Sequence, residues 1–303
     1  MSVSASRATS DERAAACRVL VSVRPALDRD RATQHYLDLF DSRELDPSGL
    51  FVARGDGGAI RGAMVVQEMP GALGLVWAPT VSRGPERTAI EDALVATSCG
   101  WLRSRGVKVC QAFAGESDRD AFAPLVRYGF ERIAKLADLR WELGPIPAPD
   151  RRLIFEPLDR ENRAAFTRTL LETFEGSLDC PEVTGSRTDE EVLEGYLQEP
   201  AIPEQWFDVR LDCKPLGVVL LDRSHDPAVW ELTYLGIASR FRGRRLGAEL
   251  VKFALQHAAN RGARAVHLSV DSRNAPALRL YQTLGFQASG EREVFLAHWP
   301  PIS

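Results

Sequence analysis

The chain repeats itself. Arg105-Gly106 is followed 23 residues later by Gly129-Phe130, and Arg261-Gly262 by Gly285-Phe286 at the same separation, so both ends of the match lie 156 residues apart. The pieces between the anchors also share an order: an amphipathic helix, Arg-Gly, a short apolar strand, a helix, then Gly-Phe. They read AIEDALVATSCGWLRSRG, VKVCQAFA and DAFAPLVRYGF in the first half, and LGAELVKFALQHAANRG, AVHLSV and NAPALRLYQTLGF in the second. Shared element order at one fixed offset points to an ancient duplication. The offset is about half of the 303 residues, which suits two domains with a core each. The proline-bearing stretch ELGPIPAPDRR, around residues 142–152, breaks helix and strand patterns and predicts the boundary. The expected domains are residues 1–146 and 151–303, the second opening at about Arg151.

Each half reads as mixed α/β. In the second, 153–158 looks like a first strand, and Asp159–Thr173 and Thr188–Leu197 have helical spacing. Strand-like runs follow at 206–212, 217–222 and 230–237, with Asp212-Cys213-Lys214-Pro215 as a hairpin turn between the first two. Then come a long helix (about 246–260), the strand AVHLSV, a helix from Pro276 and a final strand at 293–299. Consecutive antiparallel strands followed by helix crossovers predict a mixed, mostly antiparallel sheet flanked by helices.

The strongest local signal is Ser239-Arg-Phe-Arg-Gly-Arg-Arg-Leu-Gly-Ala248, between a strand and a long helix. Glycines there let backbone amides crowd together, and the helix N-terminus adds partial positive charge, which suits a diphosphate. Arg242, Arg244 and Arg245 can add charge-assisted contacts. Read alone, the segment favours a phosphate site over the alternative of a tight strand-to-helix turn with a solvated basic rim. Downstream stands Asn274-Ala-Pro-Ala277-Leu-Arg-Leu-Tyr281-Gln-Thr-Leu-Gly-Phe286.

Together these two segments resemble the GNAT superfamily of N-acetyltransferases, whose R/Q-x-x-G-x-G/A loop is followed by N-x-x-A-x-x-x-Y and a Gly-Phe pair. The likeness is close over about 60 residues and holds in element order over the rest of the second half. Arg242 and Gly247 fill the first and last loop positions, and Asn274, Ala277 and Tyr281 the downstream ones. Arg245 stands where the family usually has a middle glycine; its amide remains usable for phosphate if φ stays negative. The resemblance implies acetyl-CoA as acyl donor, held by the loop Arg242, Gly243, Arg244, Arg245, Leu246, Gly247 and Ala248. Asn274, Ala277 and Tyr281 are expected to hold it too. It also implies a strand at Leu235, Gly236 and Ile237 that splays from its neighbour, its free edge pairing with the pantetheine and an amide near Leu235 or Gly236 serving the oxyanion. Tyr281 resembles the family tyrosine that hydrogen-bonds the CoA sulphur.

Transfer to an amine by direct attack needs a base, because an ammonium must first lose a proton, and a donor already in place for the oxyanion. Glu231 is the candidate base and Tyr281 the candidate general acid. Strand alternation puts Glu231, Thr233 and Leu235 on one face, and the matching strand of several family members carries a glutamate at this spacing. The bland alternative is a solvated or arginine-paired glutamate.

The resemblance places the acceptor pocket at the loop from Thr173 to Val183 and beyond. Eight acids lie between Glu172 and Glu194 (Glu172, Glu175, Asp179, Glu182, Asp189, Glu190, Glu191, Glu194) against Arg187 alone. They form either a rim for a cationic amine or a solvated surface. Cys180 reads as a loop thiol; no partner histidine is identifiable for it.

At the 156-residue offset, Arg242 corresponds to Glu86, Gly247 to Glu91, Asn274 to Asp118, Tyr281 to Leu125 and Glu231 to Leu75. Glutamates at a diphosphate site repel it. The first half therefore reads as a degenerate copy, structural or acceptor-shaping, and the whole chain resembles tandem GNAT proteins with one silent half.

The remaining features narrow the field. A net charge of −4 without a basic stripe argues against nucleic acid. Five cysteines (Cys17, Cys99, Cys110, Cys180, Cys213) without a CxxC pair argue against disulfides and structural zinc; three sit in apolar runs and read as core thiols. His35, His225, His257, His267 and His298 show no metal-ligand spacing, so no metal is expected. No apolar run approaches a membrane span, and the first residues lack a signal-like core, so the expected compartment is cytoplasm. The expected acceptor is a small-molecule amine or a peptide N-terminus, acted on by a monomer or homodimer. A non-catalytic acyl-CoA sensor is the alternative, disfavoured by the presence of both Glu231 and Tyr281. A CoA-independent aminoacyl transferase on a related tandem fold is disfavoured by the intact loop.

Overall fold

The computed structural model describes residues 3–55, 58–146, 149, 152–183, 187–196, 205–224 and 226–300. Arg151, Leu197 and His225, which figure in the sequence reading, lie outside them. Two compact units result: residues 1–133 with 184–195 and 293–303, and residues 134–183 with 196–292.

The first unit contains β1 (Ala5–Arg7), α1 (Arg13–Leu20), α2 (Arg29–Asp41), β2 (Leu50–Arg54), β3 (Ile60–Met69), β4 (Leu73–Val76), β5 (Thr80–Val81), α3 (Arg87–Ser104), β6 (Val109–Gly115) and α4 (Ala123–Arg127). Its strands run in the order β1-β2-β3-β4-β6, with β5 on β3. Alternation along β2 and β3 sends side chains to two cores. Leu50, Val52, Ala63 and Val65 meet Cys17 and Phe40 of α1 and α2, while Phe51, Ala53, Met64 and Val66 meet Ile90 and Leu94 of α3. A sheet covered on both faces explains why these strands are nearly continuously apolar.

The second unit is built from β7 (Glu131–Glu142, from Ala134 onward), β8 (Leu153–Pro157), α5 (Arg163–Phe174), β9 (Trp206–Leu211), β10 (Lys214–Arg223), β11 (Val229–Ile237), α7 (Leu246–Ala259), β12 (Ala265–Asp271), α8 (Ala275–Thr283) and the first part of β13 (Gln287–His298). Helix α6 (Asp189–Tyr196) and the rest of β13 fall almost wholly in the first unit. The strand order is β7-β12-β11-β10-β9-β8. Helix α7 buries Leu250, Val251, Ala254, Leu255 and Ala258, the spacing of a single helical face. That face lies on Trp230, Leu232, Val219 and Val209. Helix α5 covers the opposite face of β9–β11, with Phe166 stacked on Trp206.

The duplication is visible in the strand register. Strand β4 pairs with β6 in parallel as Leu73↔Val109, Gly74↔Cys110 and Leu75↔Gln111. Strand β11 pairs with β12 as Val229↔Ala265, Trp230↔Val266 and Glu231↔His267, each partner 156 positions on. Strands β6 and β12, and β7 and β13, have bounds that differ by the same offset.

Three local expectations are corrected. Helix α5 starts at Arg163 instead of Asp159, because Asp159 and Asn162 spend their side chains on the preceding turn: Asp159 accepts from Glu161 N–H, and Asn162 accepts from Asp159 N–H. The β9–β10 hairpin turns on Asp212 and Cys213 alone, with φ of 47° and 64° and Lys214 already paired with Leu211. Two positive φ values in a two-residue loop make the turn match the twist of its strands. The final strand is longer than expected, beginning at Gln287.

Candidate active site

Strands β11 and β12 pair over three residues only and then part. The splay opens a cavity of about 850 Å³ between Leu232–Ile237 of β11 and Leu268–Val270 of β12, floored by α8 and closed by the loop into α7. All its described lining belongs to the second unit.

The register of β10 on β11 slips between Leu220 and Leu221, which pair with Tyr234 and Leu232 and leave Thr233 as the extra residue. A bulge reverses the alternation beyond it. Trp230 and Leu232 before the bulge, and Leu235 and Ile237 after it, therefore all pack on the α7 core. The expected common face for Glu231, Thr233 and Leu235 does not form: Leu235 faces the core. Tyr234 instead turns to α5, where its hydroxyl and Thr173 Oγ1 lie 2.8 Å apart. Glu231 is exposed and is not among the cavity's lining residues, whereas Thr233, Tyr234, Leu235, Gly236 and Ile237 are.

The loop into α7 presents a ladder of amides. Gly243 has φ 75° and Arg245 has φ 61° with ψ 11°, so the negative φ on which use of the Arg245 amide is conditioned is not met. Arg245 instead takes up the left-handed conformation of the glycine it replaces, in which its amide is still without a described backbone acceptor. Among the described residues, no backbone carbonyl accepts from the amides of Gly243, Arg244, Arg245, Leu246 or Gly247. Free amides at the start of a 14-residue helix suit an anion. A Cβ at Gly243 would meet nothing within 4 Å, so the cradle is open to a ligand. One at Gly247 would press on Leu280 of α8 at 3.1 Å, the reason α7 and α8 approach closely here.

The arginines divide their work differently from expectation. Arg242 donates from Nε to Ile237 O (2.9 Å), from Nη1 to Gly176 O (2.9 Å) and from Nη2 to Thr173 O (2.7 Å). Three of its five N–H donors thus tie the end of α5 to the end of β11, while the residue also lines the cavity. Arg244 lies over the Phe241 ring, 5.6 Å from its centroid, and Arg244 and Arg245 are exposed.

Asn274 caps α8, its side chain accepting from Ala277 N–H at 3.3 Å. One helical turn beyond Ala277, Tyr281 is 8% exposed and packs edge-on against Phe286 at 5.5 Å. Among the described residues its hydroxyl has no hydrogen-bond partner, and the residue lines the cavity. Burial raises its pKa and the negative charge of Asp179 adds to that, so the proton is held firmly in the free protein.

The acidic stretch does not form one rim. Glu172 pairs with Arg240, Glu182 with Arg273 (2.7 Å) and Glu191 with Lys108 (2.7 Å). Residues 187–195 belong to the first unit, the earlier acids to the second. Of the eight, Asp179 alone lines the cavity; nothing in the sequence separates it from the others. Arg279 and Thr283 also line the cavity and were not anticipated. Burial pushes the Cys180 thiol up to about 12, which removes it as a nucleophile near neutral pH. Cys17, Cys99 and Cys110 are buried, as expected of core thiols.

In the first unit the equivalent place is filled. Glu91, at the position of Gly247, is 6% exposed. It pairs with Arg87 (2.7 Å) and Arg127 (3.0 Å), and Arg127 also holds Asp92 (2.8 Å). Pro85 just before α3 removes an amide that a phosphate cradle would use. Leu125, at the position of Tyr281, is fully buried in the apolar core.

The profile of the Acetyltransferase (GNAT) family matches residues 170–286. A mycothiol acetyltransferase of Actinosynnema mirum is 31% identical over 221 residues, 68% of this chain and 69% of that protein. The chain belongs to the GNAT family of acetyltransferases. Another mycothiol acetyltransferase, of Thermomonospora curvata, is 29% identical over 247 residues, 76% of each chain. Among solved structures, a GNAT protein of Sphaerobacter thermophilus covers 99% of this chain and 97% of its own at TM-score 0.64 and 18% identity. A tandem GNAT protein of the clavulanic acid pathway covers 99% of each at TM-score 0.56 and 17% identity. These two likenesses concern the fold, and they extend the GNAT architecture over both halves of the chain. Among the described residues no group of His, Cys, Asp and Glu could hold a metal ion, and no described helix is long and apolar enough to cross a membrane.

Proposed function

We propose that this GNAT protein transfers the acetyl group of acetyl-CoA directly to a small-molecule primary amine in the cavity between β11 and β12. The observation that carries the reading is the pairing of an open amide cradle at 243–247 with a buried, unpartnered Tyr281 hydroxyl in one cavity. In this reading the amides from Gly243 to Gly247 hold the diphosphate, with the Arg244 and Arg245 side chains at its rim. Arg242 contributes by fixing the loop, not by touching phosphate. The edge of β11 at Leu235 to Ile237, left without a β12 partner, takes the pantetheine, and an amide there stabilises the oxyanion.

The amine nitrogen bonds to the thioester carbonyl carbon. As the intermediate collapses the C–S bond breaks, and Tyr281 gives its proton to the departing sulphur. Raised by burial, that phenol is a weak acid at rest and reprotonates readily from solvent afterwards. Glu231, at the mouth of the splay, is the candidate base for the proton the ammonium must lose; its exposed position suits delivery through water. The relatives' name makes the desacetyl form of mycothiol the first acceptor to try.

The test is release of CoA thiol from acetyl-CoA in the presence of a panel of amines that includes this compound. Turnover with any of them, cut strongly in Glu231→Gln with acetyl-CoA affinity preserved, supports the reading. An unaffected rate removes Glu231 from the mechanism, and no turnover on any amine leaves a CoA-binding module.

A further inference from the structure

One partly buried hydroxyl of the cavity has no part in the steps above. Tyr234 lines the cavity from β11, and the bulge at Thr233 turns its ring to α5. Thr173 Oγ1 donates its single proton to Leu170 O at 2.6 Å. Toward the Tyr234 hydroxyl, 2.8 Å away, it can therefore only accept. This short chain fixes a polarity: the phenol's proton is committed to Thr173, and lone pairs are what the oxygen offers a ligand. Among the described residues no further hydrogen bond reaches it. The ring is held as firmly. Phe174 and Tyr196 meet it edge-on, each at 5.5 Å, and a Cβ at Gly236 would stand 2.7 Å from Tyr234 Cε1. The oxygen is thus in place before a ligand arrives.

The cavity passes through the sheet. Its lining comes from the α7 loop and α8 on one side and from residues 176–179, which follow α5, on the other. The groups assigned to the donor, the amides at 243–247 and Tyr281, lie on the α7 side, where Tyr281 is part of the core. Trp230 and Leu232 also face that core, so Glu231 between them points to the α5 side, as Tyr234 does. An acceptor that meets Glu231 approaches the thioester from the α5 side, past the Tyr234 oxygen. That oxygen, with its proton committed, matches an N–H and cannot serve an oxyanion.

Resting on the transferase reading above, we infer that Tyr234 binds the acceptor's nitrogen and is the residue that confines the reaction to primary amines. Once the ammonium has lost its first proton, one N–H donates to Tyr234 Oη and the lone pair is left free to form the C–N bond. The second N–H proton then leaves by way of Glu231 and solvent, the C–S bond breaks, and the sulphur takes the Tyr281 proton. The first N–H survives as the amide N–H of the product, still on Tyr234. A secondary amine has a single N–H, which cannot both stay on Tyr234 and leave as the proton. Specificity here is a hydrogen bond that the wrong substrate leaves unmade.

The test is CoA release by the full chain saturated with acetyl-CoA, with two pairs of acceptors: the desacetyl form of mycothiol and its N-methyl derivative, and benzylamine and N-methylbenzylamine. Tyr234→Phe should lower kcat/KM for the primary amines about tenfold, chiefly in kcat, the margin of one hydrogen bond. It should change the N-methyl amines less than about twofold, so the primary-to-secondary ratio falls about tenfold. Acetyl-CoA affinity should stay within about twofold of the wild type, which also reports that the variant is folded. Thr173→Val frees the phenol's proton and should lower the same ratio, whereas Thr173→Ser should keep it. An unchanged ratio in Tyr234→Phe, or primary and secondary amines losing rate alike, overturns the inference and leaves the transferase reading standing. Should Tyr234→Phe not fold, the two Thr173 variants decide, and equal ratios in them overturn it. A wild type that binds acetyl-CoA and acetylates none of the four amines overturns the transferase reading for these acceptors and this inference with it.

Discussion

Arg245 shows how a residue can break a motif's letter and keep its geometry. At φ 61° it stands in the region that favours glycine, at the head of α7. Arg245→Gly is therefore expected to change stability by no more than about 0.5 kcal/mol, because relief of the left-handed strain offsets glycine's greater unfolded-state freedom. Arg245→Val, β-branched in the same conformation, should lose about 1–2 kcal/mol. Urea unfolding of the two variants checks both. Tyr281→Phe removes only the unpartnered hydroxyl; kcat should fall about 100-fold, the scale of general-acid catalysis, with acetyl-CoA affinity and thermal stability little changed. Normal turnover by that variant would mean the thiolate leaves without this donor. The motif letters identified both positions in the sequence. They could not show that Arg242 gives three of its donors to carbonyls, since nothing local says which chain segments come within its reach. Nor could they separate Asp179 from seven other acids, a distinction made by the fold, which puts Asp179 alone of the eight along the cavity while Glu172, Glu182 and Glu191 pair with cations.

At the level of elements, α7 carries a pH dependence. His257 is buried, 2.5 Å from Gln205 Oε1, and burial pushes it down to about 4 from 6.5, helped by the charge of Arg261. The unfolded chain takes up this proton below about pH 6.5 and the folded chain only near pH 4, so between them the unfolded state binds more protons. The contribution is complete above pH 6.5 and is lost on acidification. At pH 4.5 it should amount to about 2–3 kcal/mol relative to neutrality. Chemical unfolding at pH 7.5 and 4.5 should show that loss in the wild type, and His257→Gln should reduce it by a like amount; equal losses would relieve His257 of the role. Strand β11 is equally exacting. A Cβ at Gly236 would sit 2.5 Å from Thr173 Oγ1, so Gly236→Ala must push α5 away and should destabilise by about 1–3 kcal/mol. Thermal unfolding of the variant gives the answer. Strand and helix positions were legible because apolar periodicity is local. The bulge at Thr233 was not, because a period of two contains no signal for the residue at which register slips.

For the whole molecule the question is how many donor sites two similar halves provide. The repeat predicted two copies of one topology, and the registers of β4 on β6 and β11 on β12 agree with it to the residue. The side chains of the copies have diverged at the start of α3 and α7. In the second unit, open amides precede Gly247. In the first, Pro85 lacks an amide, and buried Glu91 sits between Arg87 and Arg127. A diphosphate entering there would have to displace paired carboxylates from their arginines and meet their charge, whereas at 243–247 it finds donors without acceptors. Calorimetric titration of acetyl-CoA should therefore give one site per chain. Gly247→Glu should abolish it, because the new side chain brings a negative charge to the cradle and its Cβ crowds Leu280 at 3.1 Å. The reverse change, Glu91→Gly, should not create a second site: it frees Arg87 and Arg127 but restores neither the glycine-rich turn nor a tyrosine at Leu125. Two sites in the wild type would show that the first unit binds the donor by another route, and a site that survives Gly247→Glu would move the cofactor away from α7 altogether.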